Sequence, residues 1–98
     1  MAQFDVCTLP DGEWVVVVQA DVVALVETTV IVPLLPSDQQ PASVRRLHPR
    51  LEIASEERIL ATHLISAVRR RALSAPFASL AAYEYEIKGA LDLLVSGI

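Results

Sequence analysis

Strict alternation opens the chain. Over residues 3–8, Phe4, Val6 and Thr8 fall on one face and Gln3, Asp5 and Cys7 on the other, which is the period of two that a β-strand requires. Leu9, Pro10, Asp11 and Gly12 follow as turn residues and predict a hairpin into residues 14–18. That second run, Trp14 followed by four valines, is apolar at every position, so the strand it predicts can be buried on both faces. A shorter apolar piece spans residues 22–26, and a third β-rich stretch spans residues 28–35. Pro33 lies in that stretch with no N–H to donate, which places it at an edge or a bulge. Residues 36–41 are the clearest loop, and a basic passage, residues 44–49, follows them. Residues 51–53 and 58–64 read as a second hairpin about Ala54, Ser55, Glu56 and Glu57, and residues 65–73, ambiguous between strand and helix, are read as strand up to Leu73.

The periodicity then changes. Ser74, Ala75 and Pro76 break the chain, and from about Phe77 helix formers dominate through Leu94, with Gly89 as the weak point. Within the final stretch, residues 83–98, Ile87, Leu91, Leu94 and Ile98 recur at spacings of four, three and four, a helical stripe. Glu84 and Lys88 form a favourable i,i+4 pair. Gly97 is the expected stop, because glycine accepts the left-handed conformation that closes a helix, so Ile98 and its carboxylate are expected to project beyond it. No polar tail follows, and this end is expected to sit against another molecule. Many strands and then one helix, without repeats or a dividing linker, predict a mainly β chain: one domain over residues 1–98, a small antiparallel barrel or sandwich closed by a C-terminal helix.

Composition narrows the partners. A chain of 98 residues buries roughly 60–70% of its unfolded surface, a modest core. Hydrophobic residues make up 53% of it and mean hydropathy is +0.45, rich enough to suggest apolar surface buried between copies, most simply in a homodimer. Eight basic against twelve acidic residues leave a net charge of −4, which disfavours direct nucleic-acid binding. Cys7 is the single cysteine; it excludes an intrachain disulfide, fits a reducing cytoplasm and is read as a core residue. Gln19, Asp21, Glu27 and Pro33 interrupt the apolar stretch from residue 15 to residue 35, so no membrane span is expected there.

Five blocks carry a family resemblance. Gln3-Phe4-x-Val6-x-Thr8, Val18-Gln19-Ala20-Asp21-Val22-Val23, Val30-Ile31-Val32-Pro33-Leu34, Leu47-His48-Pro49, and Glu86-Ile87-Lys88-x-Ala90-x-x-Leu93 with Gly97-Ile98 resemble the CcdB toxin family in order and spacing over essentially the whole chain. The resemblance implies an SH3-like antiparallel barrel of the CcdB/MazF-type toxin fold, with a C-terminal helix and assembled as a homodimer. It implies the toxin of a bacterial type II toxin–antitoxin pair, with a role in plasmid maintenance. Such a toxin binds the GyrA-type subunit of DNA gyrase, the one that cleaves DNA, and traps the gyrase–DNA cleavage complex. It does no bond chemistry itself, and it is neutralised by the disordered C-terminal arm of a cognate antitoxin. By the same resemblance the gyrase-binding positions are Val22, Val23, Asp92, Val95, Ser96, Gly97 and Ile98. The antitoxin-binding positions are Gln3, Phe4, Ala20, Val22, Asp92, Ser96 and Gly97. Three departures stand out: Ser96 where the family has tryptophan, Val95 where it has phenylalanine, and Asp92 where it has asparagine. Two aromatic anchors are thereby lost, each worth roughly 150–250 Å² of buried surface. The readings left open are a weak or inactive toxin, one tuned to a variant gyrase, and a relative with another target.

Other chemistry finds little support. His48 and His63 are fifteen positions apart with no ligand spacing around them, so neither a metal nor a cofactor is expected. His63 is read as a hydrogen-bonded structural histidine in an apolar strand and His48 as exposed. Arg69, Arg70 and Arg71, with Arg45 and Arg46 elsewhere, are the basic concentration; on a strand Arg70 would point away from its two neighbours, and the run could attract an acidic antitoxin segment. A messenger-RNA endoribonuclease of the same fold is the alternative, with Asp5, Glu13, Arg58 and His63 as the groups to assemble around a phosphate. A homologue that dimerises and binds antitoxin without poisoning gyrase is a further one. No serine has a nucleophile-elbow setting, and no catalytic residue is assigned.

Overall fold

The predicted first hairpin is present. In the computed structural model, which describes residues 2–23, 27–38 and 45–97, β1 (Asp5–Thr8) pairs antiparallel with β2 (Trp14–Val17), Val6 opposite Val16 and Thr8 opposite Trp14. The intervening turn closes through the Gly12 N–H, which donates to the Leu9 carbonyl at 2.8 Å. Gly12 sits at φ +87°, a conformation that a side chain resists. Of the predicted segments, residues 24–26, 39–41 and 44 and the terminal Ile98 lie outside the described residues.

β3 (Thr28–Pro36) organises everything else. One edge pairs with β2, Val16 opposite Val32. Its other edge is divided: residues 28–31 pair with β6 (Ser66–Arg69), and residues 34–36 with β5 (Glu56–Leu60), which in turn pairs with β4 (Arg50–Ile53). Pro33 falls between the two sets of partners. Its predicted place at an edge or bulge becomes a changeover inside a central strand, where the Pro33 carbonyl accepts from Ala61 N–H at 2.9 Å and the edge has no register partner for it to lose. The strand order is β4-β5-β3-β2-β1-β7, with β6 beside β3 and β7 (Ala78–Ser79) on β1. The result is a nearly closed antiparallel barrel with one C-terminal helix, α1 (Glu84–Ser96), the SH3-like architecture that the sequence predicts.

Burial on both faces of β2 has a plain origin. Val16 joins the main core with Phe4, Val6, Val32, Leu34, Leu51, Leu60, Leu80, Ile87 and Ala90. Val15 and Val17 point the other way into a second cluster with Cys7 and Ile31, covered by Leu9, Val68 and Leu73. The β6 segment is therefore a lid over the back of the sheet. Burial pushes the Cys7 thiol up, with the Asp5 charge adding to it, as expected of an inert core cysteine.

Three boundaries differ from the sequence reading. Residues 58–64 are not one strand: β5 ends at Leu60 and a 3-10 turn, Thr62–Leu64, follows. Residues 65–73 are strand only over Ser66–Arg69, and Arg70–Ala72 form another 3-10 turn. Residues 77–83 are not helical, because Phe77 N–H donates to the Val6 carbonyl at 3.0 Å and Leu80 N–H to the Phe4 carbonyl at 2.8 Å; those tertiary bonds hold β7 extended and override the helix propensity of its alanines. A 3-10 turn, Ala81–Tyr83, then leads into α1. The second hairpin turns on two residues instead of four, with Ala54 and Ser55 at φ +52° and +66° and Ile53 opposite Glu56, a type I′ geometry.

Candidate functional site

α1 is anchored by one narrow stripe. Ile87 and Ala90 are fully buried and Leu91 packs at the edge of the main core, while Leu94, next on the stripe, already emerges into solvent. Beyond it Val95 is 82% exposed, and Ser96 and Gly97 are exposed. Gly97 adopts φ +73° and its N–H donates to the Leu93 carbonyl at 2.9 Å, the predicted left-handed stop. The last turn thus presents apolar side chains on a rigid, properly terminated helix end.

The other predicted positions gather elsewhere. Val22 is 90% exposed and Val23 about half exposed, on a turn that follows Gln19 and Ala20. Asp21 Oδ1 accepts from Gln3 N–H at 2.8 Å, and Gln3 Nε2 donates to the Val18 carbonyl, so Gln3, Ala20 and Val22 share one surface. Phe4 does not: it is 5% exposed, its side chain is part of the main core, and its N–H donates to the Val17 carbonyl at 2.6 Å. No described contact joins this turn to the end of α1 within one chain.

Asp92 belongs to a third feature. Tyr85, Lys88, Gly89 and Asp92 recur at i, i+3, i+4 and i+7 on the helix face away from the core, and with Arg45, Arg46 and Pro49 they line a groove of about 860 Å³. Nothing lies within 4 Å of where a Cβ on Gly89 would project. Sequence reasoning named the arginines and Asp92 but not Tyr85 or this groove; the signal was a glycine on the outer face of a helix. Lys88 Nζ meets Glu84 Oε2 at 2.6 Å, the predicted i,i+4 pair.

The two histidines reverse their expected roles. His63 lies in the 3-10 turn Thr62–Leu64 and is exposed, whereas His48 is half buried. They meet, His48 Nε2 to His63 Nδ1 at 2.8 Å, with rings nearly perpendicular. His48 Nδ1 is buried without a partner, so placing the shared proton on His48 Nε2 avoids burying an unpaired donor. Burial, and then the charge of His63, hold the His48 pKa below its ordinary 6.5.

The ribonuclease set is committed elsewhere. Arg58 lies over the Trp14 ring, 3.8 Å from its centroid, donates to the Leu34 carbonyl and pairs with Glu56. Asp5 caps Ala2 N–H, and His63 is taken by His48. No described hydrogen bond or ion pair joins any two of Asp5, Glu13, Arg58 and His63. No group of three or more metal-ligating side chains occurs among the described residues, and no described helix is long and apolar enough to cross a membrane.

Comparison with known families agrees with this fold and its exposed helix end: the family described as CcdB protein matches residues 3–97. No curated protein matches the chain.

Proposed function

The chain belongs to the CcdB family, and from that premise we propose that it acts by setting the end of α1 against the DNA-cleaving subunit of DNA gyrase and trapping the enzyme on cleaved DNA. Membership implies the toxin of a toxin–antitoxin pair, not a bond-breaking enzyme. The observation that carries the gyrase reading is the helix end itself: Val95 stands 82% exposed on a turn closed by a left-handed Gly97, and exposed apolar side chains on rigid elements mark protein interfaces. Val22 and Val23, exposed on their own turn, supply the second patch. Because one chain does not join the two patches, a homodimer offers a natural way to present them to one target, and the exposed Leu64 and Ile65 beside the turn that packs on α1 supply apolar surface for such pairing. An antitoxin covering Gln3, Ala20, Val22, Asp92, Ser96 and Gly97 would compete for the same ground. A gyrase target puts the protein's action in the cytoplasm, where gyrase works.

Induced expression in a bacterium tests the reading, with growth, gyrase-linked DNA breaks and messenger-RNA cleavage scored together. Growth arrest with DNA breaks and intact RNA is expected. RNA cleavage without breaks would favour the endoribonuclease alternative, and normal growth with a folded protein would favour a binder that has lost poisoning. Ser96→Trp restores a large apolar anchor at the helix end. It is expected to strengthen growth inhibition by about tenfold or more in toxin dose, because each tenfold in affinity needs only about 1.4 kcal/mol of added contact.

A further inference from the structure

Arg69, Arg70 and Arg71 do not divide between two faces as a continuous strand would require. β6 ends at Arg69 and the chain enters the 3-10 turn Arg70–Ala72, so all three arginines line one concavity of about 170 Å³, with Glu27 as the one acidic residue on its wall. Three positive charges against one negative leave +2 here, on a chain whose net charge is −4. The mounting is firm: Arg69 is in register with Thr28, Arg70 N–H donates to the Glu27 carbonyl at 2.9 Å, and Leu73 N–H donates to the Arg70 carbonyl while Leu73 packs on the second core cluster. Arg70 also lines an adjoining hollow of about 390 Å³ with Ala20, Asp21, Val23 and Thr29. Exposed Val22 follows on the same turn. A cationic concavity and an apolar turn are thus continuous through Arg70.

We infer that this surface docks an acidic polypeptide segment, whose carboxylates lie against Arg69 and Arg71 while an aliphatic side chain between them rests on Val22 and Val23. The guanidinium fork matches a carboxylate in two parallel hydrogen bonds. Exposed ion pairs are individually weak, so the apolar contact is what selects the segment. A nucleic acid fits less well, for two reasons. Neither hollow is lined by an aromatic ring on which a base could stack, and a long phosphate chain would extend past the local +2 into the field of an acidic protein. A short peptide stays within about 8–10 Å, inside which the local charge dominates at physiological salt. Docking here does not depend on whether the end of α1 binds gyrase.

Fluorescence anisotropy on the purified full chain tests it, with a labelled unstructured peptide of alternating acidic residues and leucine. The expected result is saturable binding that weakens as salt is raised and drops at least tenfold in the double variant Arg69→Gln with Arg71→Gln, its circular dichroism unchanged. Val22→Ser with Val23→Ser should weaken the leucine-containing peptide but not one with serine in place of leucine. Equal binding by the arginine variant, or tighter binding of a single-stranded oligonucleotide of the same charge, would overturn the inference. Because the readout is binding and not growth, failure here leaves the toxin reading to its own experiment.

Discussion

Ala54 and Ser55 show how a single residue can carry strain that sequence pattern does not reveal. Both hold positive φ in the tight turn between β4 and β5, where glycine and asparagine are favoured and a Cβ costs about 1–2 kcal/mol. Ser55→Gly is therefore expected to stabilise the protein by about 1 kcal/mol, read as a higher urea midpoint without a change in slope. The histidine pair is a second case. Its members are far apart in sequence and 2.8 Å apart in the fold, and His48 is held below its ordinary 6.5 by burial and by His63. Arg45, Arg46 and Arg50 flank it along its own segment, and the groove beside that segment carries Glu84, Glu86, Lys88 and Asp92 from α1. A lowered pKa means that the unfolded chain takes up the proton first, so the pair's contribution is complete above about pH 6.5 and is lost as pH falls below it. Wild type should lose more stability than His48→Gln between about pH 7 and pH 5.5, measured as the difference between their urea midpoints.

At the scale of elements, α1 separates two tasks that share one helix. Ile87 is fully buried in the main core, and Ile87→Ala is expected to cost about 2–5 kcal/mol through the lost contacts and the cavity left behind. Val95, two turns further on and 82% exposed, contributes little to folding; Val95→Ser should leave the unfolding midpoint unchanged within about 0.5 kcal/mol while reducing growth inhibition. Should both substitutions destabilise alike, the helix end is packed and not presented. The elements also show what pattern could and could not reveal. The first hairpin was legible because alternation and turn chemistry agree over residues 3–18, and the glycine stop of α1 because Gly97 follows a clean helical stripe. β7 was not legible: Ala78, Ala81 and Ala82 favour helix locally, and only bonds to the Val6 and Phe4 carbonyls hold Phe77 through Leu80 extended. The extent of β6 was likewise hidden, since nothing in Ala67 to Leu73 announces that the strand ends at Arg69.

For the whole molecule, the decisive fact is that the predicted contact residues form separate patches on one copy. The turn carrying Val22 and Val23 lies on the side of β2 and β6, and the end of α1 belongs to the main core's helix. Pairing of two copies through exposed apolar surface would combine patches that a lone chain keeps apart. Light scattering is expected to give twice the 10.7 kDa chain mass at micromolar concentration, with an unfolding midpoint that rises as protein concentration rises. A concentration-independent monomer would rule out a surface built from two copies.

What the sequence determined by itself was local and periodic: the strand alternation, the β-branched runs, the acidic balance, and a helix with one apolar stripe and a glycine at its close. These follow from nearest-neighbour geometry, which each residue carries with it into any fold. Only the tertiary structure decided which residues separated along the chain would meet, namely His48 with His63, the three arginines with the Val22–Val23 turn, and Pro33 with the changeover between β6 and β5. Such meetings depend on how the barrel closes, and closure is governed by burial of two apolar clusters on opposite faces of one sheet.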